Sequence, residues 1–392
     1  MLNKMLKVML IPEFGEFGGV FEYFKALLNY YVLKNYEIIL ILNKNQISKI
    51  INTQLNSQLY ENPLIKIYEI TDNGNFELKL KRKFIFNIIF DLKRNFKIFK
   101  KEKPDLIVVS TGSPGSLLGL ILLNTKFIYI CHSYPVNGRK YSFKNIVLNI
   151  FLSSEKRIIT VSNFAKNNFI KFWNLKKKSN FISVIHNTVF TKPSTMKEDF
   201  EKNENKISSK HINILTLGHV RWYKNPEAWV NVIKIFNLNF KNEDVRFLWA
   251  GEGELLEEYR NKLKELDIKN AIFLGLVDNV EELYSKSLIY FQPSLIESHS
   301  ISTIDAMKHG IPCVVSKIGG LPESVVDGET GFVIDVGNHE EMADKLILLI
   351  KDKSLREKMG LASRNIFEEK FSYKGWLDKM DLLHNDVLNL KF

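Results

Sequence analysis

Two α/β domains, each a doubly wound parallel sheet, are what this sequence predicts, and three observations carry the prediction. Its 392 residues exceed one typical core, which points to two domains of about 150–200 residues each. The strand-like runs are near-continuously apolar rather than alternating, as in parallel sheets covered by helices on both faces. The strand–helix alternation also halts in one long polar stretch and then restarts.

Taken in order, MLKVMLI (5–11) reads as the first strand, FEYFKALLNYYVLK (21–34) as an amphipathic helix and YEIILIL (36–42) as the next strand. DLIVVS (105–110), FIYICHS (127–133) and RIITVS (157–162) continue the first sheet. The polar run TKPSTMKEDFEKNENKISSK (191–210) reads as a linker, so the first domain is placed at 1–190. INILTLG (212–218), VRFLWAG (245–251), AIFLG (271–275), LIYFQPS (288–294) and PCVVS (312–316) then supply the strands of a second domain at 211–372, separated by helical segments such as NPEAWVNVIKIF. Ligands of such sheets sit beyond the carboxyl ends of the strands, in the loops that open helices. With two such domains, the cleft between them is the expected site.

Composition bounds the rest. The chain is 45% hydrophobic and 25% charged, ordinary for a soluble protein. Cys131 and Cys313 sit in apolar runs and cannot build a disulfide framework, which fits a reducing cytoplasm. The opening MLNKMLKVMLIPEF turns acidic and glycine-rich at once, so no signal peptide is expected. The longest apolar run, LLGLILLNTKFIYI, is interrupted by Asn124 and Lys126, and no membrane span is expected.

Charge is uneven: residues 1–190 hold 28 Lys/Arg against 12 Asp/Glu, or +16, whereas 191–392 hold 27 against 32, or −5. One half is therefore expected to meet an anionic surface. KLKRKFIFNIIFDLKRNFKIFKKEK (79–103) interleaves ten Lys/Arg with five Phe, the composition of an interfacial segment on anionic lipid. The plainer reading is a helix that covers the sheet and turns a basic face outward. Nucleic acid is not expected as a partner, because no recognised nucleic-acid module is present.

The stretch ESHSISTIDAM (297–307) gathers Glu297, Ser298, His299, Ser300 and Asp305 in a strand-to-helix loop that runs into a helix of about 300–309. Ser298 or Ser300 suits the N-cap, and the free N–H groups and dipole there make an anion site. A hydrolase triad is disfavoured, since a nucleophilic serine normally sits at a G-x-S-x-G elbow. One His with two separated carboxylates also lacks metal-ligand spacing, and no metal is expected.

Read onward, PSLIESHSISTIDAMKHGIPCVVSKIGGLPESVVDGETGFVI (293–334) resembles the signature of family 4 glycosyltransferases. The matching features are Glu297 and Asp305 eight apart, Ala306-Met307, Gly310-Ile311-Pro312, Gly319-Gly320 with Glu323, and Asp327-Gly328 with Gly331. GEFGGVFEYFKALLNYY (15–31), KPDLIVVS (103–110), YICHSYP (129–135), ITVSN (159–163), VIHNTVF (184–190), LGHVRWYKN (217–225) and LWAGEGE (248–254) extend the likeness along the chain. The resemblance implies the GT-B fold, two facing Rossmann-like domains with an inter-domain cleft, and a C-terminal helix at 373–392 packing back on the first domain.

It further implies transfer of a sugar from a nucleotide-diphosphate sugar to a glycan or lipid-linked acceptor, with retained anomeric configuration. No metal and no cofactor beyond that co-substrate are implied. Lys224 would meet the diphosphate, with Arg221 as a second positive charge, since His219 stands where the family carries Arg. Backbone N–H groups at Ser298, His299 and Ser300 would hold phosphate or sugar oxygens. Glu297 would bind sugar hydroxyls and stabilise positive charge at the anomeric carbon. Asp305, where the family usually has Glu, would take the ribose diol. His132 would act on the donor sugar, and Gly18 and Gly19 would let backbone approach the diphosphate or acceptor. Gly251 and Gly253 read as a turn near the nucleotide, and Asn187-Thr188 as hinge structure. By analogy the product is a bacterial surface polysaccharide, made in the cytoplasm with a peripheral position at the inner face of the plasma membrane. The alternative from another class is a non-catalytic nucleotide-sugar-binding or scaffold protein of the same fold.

Overall fold

The computed structural model describes residues 5–14, 18–51, 53, 55–70, 84–136, 143–190, 211–277 and 279–389; for 57, 58 and 84–91 it describes the backbone alone. The chain forms two compact units, Met1–His186 with Trp376–Phe392, and Asn187–Gly375. The stretch read as a linker, 191–210, lies outside the described residues.

The first unit is built on a parallel sheet of β1 (Lys7–Glu13), β2 (Glu37–Asn43), β3 (Ile65–Ile70), β4 (Leu106–Thr111), β5 (Lys126–Cys131), β6 (Lys156–Thr160) and β7 (Ile182–Val184), in the order β3-β2-β1-β4-β5-β6-β7. The central strands are apolar on both faces because helices cover both, and β4 is buried at every position. The edge strands β3 and β7 are absent from the sequence reading for a physical reason. In β3 the lysine, glutamate and aromatic residues of IKIYEI dilute the apolar run, and β7 has only three residues.

The basic segment forms the helix Phe84–Glu102, while 79–83 lie outside the described residues. Leu92, Ile98 and Phe99 pack against the sheet core, and Lys93, Phe96, Lys97, Lys100 and Lys101 are exposed. The spacing of three and four between these exposed positions gathers them on one face of the helix. Among the described residues no helix is long and apolar enough to cross a membrane.

The last helix, Tyr373–Leu388, reaches the first unit and buries Trp376, Met380, Leu383 and Val387. Trp376 meets Tyr23 and Tyr30 edge-on, with ring centroids 5.5 and 6.1 Å away. His384 is fully enclosed: Nδ1 lies 2.8 Å from the Met380 carbonyl and Nε2 lies 2.8 Å from the Tyr31 hydroxyl. A carbonyl only accepts, so Nδ1 carries the proton and Nε2 accepts from Tyr31.

The second unit holds β8 (Ile212–Leu217), β9 (Val245–Ala250), β10 (Ala271–Gly275), β11 (Ser287–Gln292), β12 (Cys313–Ser316) and β13 (Gly331–Ile334), in the order β10-β9-β8-β11-β12-β13. β13 has four residues directly after a turn, too short a run to stand out by composition. From β8 the chain winds outward through β9 and β10, and from β11 it winds the other way through β12 and β13. The carboxyl ends of β8 and β11 are therefore the switch point, where a crevice opens between oppositely directed connections.

Burial depresses the pKa of His384 from 6.5 to about 4. Unfolded chain then binds a proton that folded chain refuses, so the histidine's full contribution is present above pH 6.5 and is lost as pH falls toward 4. Denaturant melts of wild type and His384→Gln between pH 7 and 4 check this. The variant is expected to lose stability less steeply on the acid side, and equal slopes would contradict the assignment.

Candidate active site

At the switch point of the second unit, β8 hands the chain to Gly218 and a tight turn at Trp222–Lys224, while β11 ends at Gln292 and leads to the loop before helix Ile301–Lys308. Lys224 Nζ and Glu297 Oε2 meet there at 2.6 Å, each side chain only 14% exposed. Local chemistry fixes the turn. Asn225 takes a left-handed conformation (φ 61°), accepts the Ala228 N–H to cap helix Pro226–Asn239, and donates its amide to the Pro293 carbonyl at 3.1 Å. The Tyr223 carbonyl accepts from the Leu295 N–H at 2.8 Å. The lysine loop and the glutamate loop are thus tied together by hydrogen bonds at Tyr223 and Asn225, on either side of Lys224.

Glycine makes the close approach possible. Gly319 has φ +58°, and a Cβ there would lie 1.6 Å from the Glu297 carbonyl oxygen, which also accepts from the Gly320 N–H at 3.2 Å. Gly319-Gly320 therefore forms the floor under Glu297. Gly251 and Gly253 are packing devices of the same kind: Cβ atoms on them would lie 2.1 Å from the Gly218 oxygen and 2.4 Å from the Val220 oxygen. Their lack of side chains seats the end of β9 against the lysine loop.

The Ser300 and His299 side chains of the loop make contacts within the unit. Ser300 is the N-cap, its Oγ accepting the Thr303 N–H at 3.2 Å and donating to Gln292 Oε1 at 2.9 Å. Ser298 is 9% exposed. The His299 imidazole is turned into the unit's own interior, with Nε2 3.2 Å from Ser324 Oγ and its ring 5.3 Å from that of Phe371. Asn187 donates to the His299 carbonyl at 2.7 Å, and Thr188 donates to the Phe371 carbonyl at 2.7 Å. The pair read as hinge structure thus holds the glutamate loop in place from behind.

Arg221 opens the lysine turn and is half-buried. Asp305 joins a separate cluster on its own helix, 3.6 Å from Lys308 Nζ and 3.7 Å from His309 Nδ1, which Glu281 completes by contacting both Lys308 and His309. His309 and Lys308 hold the Glu281 carboxyl down at about 2. The Glu281, Asp305 and His309 ligand atoms lie within 4.8 Å of one another, as a metal ion would require. The Lys308 ammonium already supplies positive charge there.

His132 and Gly18-Gly19 belong to the first unit. His132 follows β5 directly and is half-buried, with Nε2 2.9 Å from Ser110 Oγ and the Tyr23 ring edge-on at 4.5 Å. Desolvation lowers its pKa to about 3, so the imidazole is neutral at ordinary pH. Gly18 caps helix Gly19–Leu33 with extended backbone and no side-chain bond, its carbonyl accepting from Phe21 and Glu22. Sequence reasoning overlooked Gln292, which donates to Glu297 Oε2 at 2.9 Å; the signal was a lone amide closing the apolar run LIYF.

This geometry agrees with two family models: Glycosyltransferase Family 4 matches residues 17–192 and Glycosyl transferases group 1 matches residues 197–366. The chain belongs to the family 4 glycosyltransferases. A capsular polysaccharide biosynthesis glycosyltransferase of Staphylococcus aureus is 26% identical over 78% of this chain and 82% of its own length. The N-acetyl-alpha-D-glucosaminyl L-malate synthase of Bacillus anthracis is 30% identical over 44% of this chain, and the match spans 45% of that relative. A solved glycosyltransferase from Rickettsia africae covers 99% of this chain and all of its own at TM-score 0.75 and 21% identity. Anabaena Alr3699/HepE, solved with UDP and glucose, covers 97% and 99% at TM-score 0.71 and 15% identity. At these identities the two structures establish the GT-B fold of this glycosyltransferase.

Gly319→Ala in this transferase is expected to displace Glu297 and abolish activity. Gly328→Ala is the control: its φ is also positive, at +76°, but nothing lies within 4 Å of the added carbon. That substitution carries backbone strain of about 1 kcal/mol and no clash. Equal activity in the two variants, assayed beside their melting curves, would refute the role of the glycine floor.

Proposed function

We propose that the protein is a retaining, metal-independent hexosyltransferase that moves a sugar from a nucleotide-diphosphate sugar to a hydroxyl of a glycan or lipid-linked acceptor, in the assembly of a surface polysaccharide. The observation that carries this reading is the Lys224–Glu297 pair at the switch point. In the reaction the bond from the anomeric carbon to the leaving diphosphate breaks and a bond to the acceptor oxygen forms. Negative charge grows on the diphosphate and positive charge on the anomeric carbon. Lys224 and the N-terminus of helix Ile301–Lys308 are suited to the first, Glu297 to the second. Donor binding separates the pair: the ammonium exchanges the carboxylate for phosphate oxygens, and Glu297 turns to sugar hydroxyls.

Arg221 is assigned to the diphosphate and Asp305 to the ribose diol, its carboxylate oriented by Lys308 and His309. The neutral His132 imidazole, held by Ser110, is suited to hydrogen bonding with a sugar hydroxyl rather than to carrying charge. Retention rests on the family resemblance. Metal independence rests on these protein cations standing where a divalent ion would otherwise neutralise phosphate. The staphylococcal capsular relative and the Anabaena complex with UDP and glucose support a UDP-sugar donor and a polysaccharide product.

A panel of UDP-glucose, UDP-galactose, UDP-N-acetylglucosamine and GDP-mannose, scored for hydrolysis and transfer, tests the reading. With the donor turned over, Glu297→Gln and Lys224→Met are each expected to lower kcat/KM at least tenfold while keeping the folded circular dichroism spectrum, since each removes a charge-assisted contact of about 1.5–3 kcal/mol. Activity is expected to persist in EDTA. Wild-type turnover in both variants would refute the site, and loss in EDTA restored by manganese would refute metal independence.

The acceptor side is assigned to an anionic lipid surface through the outer face of helix Phe84–Glu102. Lys93, Lys97 and Lys100 surround Phe96, which is 40% exposed. The neighbouring helix Phe143–Phe151 adds exposed Phe143, Ile146 and Ile150 and carries no acidic residue. Apolar side chains ringed by lysines match the boundary of an anionic bilayer. Each surface lysine contributes about 1 kcal/mol to such binding. Replacing Lys93, Lys97 and Lys100 with Gln is expected to weaken flotation with phosphatidylglycerol vesicles and to spare transfer to a short soluble acceptor. Flotation equal to wild type would refute the lipid surface.

A further inference from the structure

Gln292 closes β11 and is 1% exposed. Its Nε2 donates to Glu297 Oε2 at 2.9 Å and to Ser294 Oγ at 3.1 Å. Its Oε1 accepts from Ser300 Oγ at 2.9 Å and Thr303 Oγ1 at 3.0 Å, and lies 2.9 Å from the Tyr290 hydroxyl. The Tyr290 proton has a second acceptor in Ser302 Oγ at 2.8 Å. The orientation of the amide follows from Glu297: a carboxylate paired with an ammonium only accepts, so the amide atom 2.9 Å from Oε2 is the nitrogen. The amide oxygen faces the helix cap and the amide nitrogen faces the carboxylate.

Glu297 Oε2 thus has two donors, Lys224 Nζ at 2.6 Å and Gln292 Nε2 at 2.9 Å. Resting on the reading of Lys224 and Glu297 as donor residues, we propose that Gln292 is a positioning residue that holds the Glu297 carboxylate oriented after Lys224 has left it for the diphosphate. An enclosed carboxylate oxygen that loses its cation needs another donor, and the amide N–H stands at hydrogen-bond distance from it. The amide performs this without adding charge, and its far end is anchored in the cap of the helix that opens the site. Glu297, the helix cap and the end of β11 become one hydrogen-bonded unit. This role belongs to the residue type: leucine or methionine would fill the space, but neither could donate.

Two variants test it with the donor identified by the nucleotide-sugar panel. Gln292→Met keeps length and removes the donor; kcat is expected to fall about tenfold or more with donor KM within about threefold. Gln292→Glu places a second carboxylate against Glu297 at neutral pH, yet donates again once protonated. Its kcat is therefore expected to recover as pH is lowered, an acid-side rise missing from the wild-type profile. A residue that only packs would shift the melting temperature of both variants without the kcat–KM split or the new pH limb. Wild-type kcat in Gln292→Met, or a wild-type pH profile in Gln292→Glu, alongside an impaired Glu297→Gln, would overturn the proposal and leave the donor reading intact. Full activity in Glu297→Gln would overturn both. If Gln292→Met does not fold, the pH profile of Gln292→Glu decides alone.

Discussion

A lysine and a glutamate that are largely withdrawn from water must each find compensation for the hydration they lose, and at the ends of β8 and β11 they find it in one another. That requirement organises the second unit. The pair forms only if two loops from different strands are brought to contact, which the Asn225–Pro293 and Tyr223–Leu295 bonds accomplish. It also needs the chain beneath Glu297 to approach without side chains, the service Gly319 and Gly320 provide. An ion pair of this kind is weak evidence for stability, because well-packed apolar residues of the same volume are often as stable. Its value is as a stored contact: two opposite charges wait at hydrogen-bond distance in a site whose expected ligand presents a phosphate and a row of hydroxyls.

The two units divide the labour by charge as well as by fold. The half with residues 1–190 carries the cationic excess, and its helix Phe84–Glu102 keeps an apolar inner face on the sheet while leaving lysines outside. The structure matches the plainer reading of that segment: the helix covers the sheet and turns a basic face outward. In the second unit the charge is local and paired, as in the Glu281–Lys308–Asp305–His309 cluster. Closure of the first unit by Tyr373–Leu388 uses buried aromatic rings and the Tyr31–His384 bond.

Much of the architecture was legible because parallel strands buried on both faces leave long apolar runs, and ten such runs lie in the chain at or near observed strands. The strands that escaped, β3, β7 and β13, are short or polar and lie at sheet margins, where burial is one-sided. At the site, Glu297 and Lys224 were legible from their motifs, but the work of the residues between was not. His299 looked chemical and packs against Phe371, whereas Asn187 looked like a connector and secures the His299 carbonyl. Gln292 was passed over because one amide in an apolar strand has no pattern; its meaning lies in partners up to eleven residues away along the chain. Side-chain direction inside a loop depends on tertiary packing, and no spacing rule supplies it.

The central claim is that Lys224 waits on Glu297 for a diphosphate, and calorimetric titration with nucleotides tests it without knowledge of the sugar. UDP and GDP, each with its monophosphate as reference, would be titrated into wild type and Lys224→Met. The expected result is that one diphosphate binds the wild type and binds the variant at least tenfold more weakly, while the matching monophosphate binds both alike. Equal diphosphate affinity in the two proteins would contradict the account.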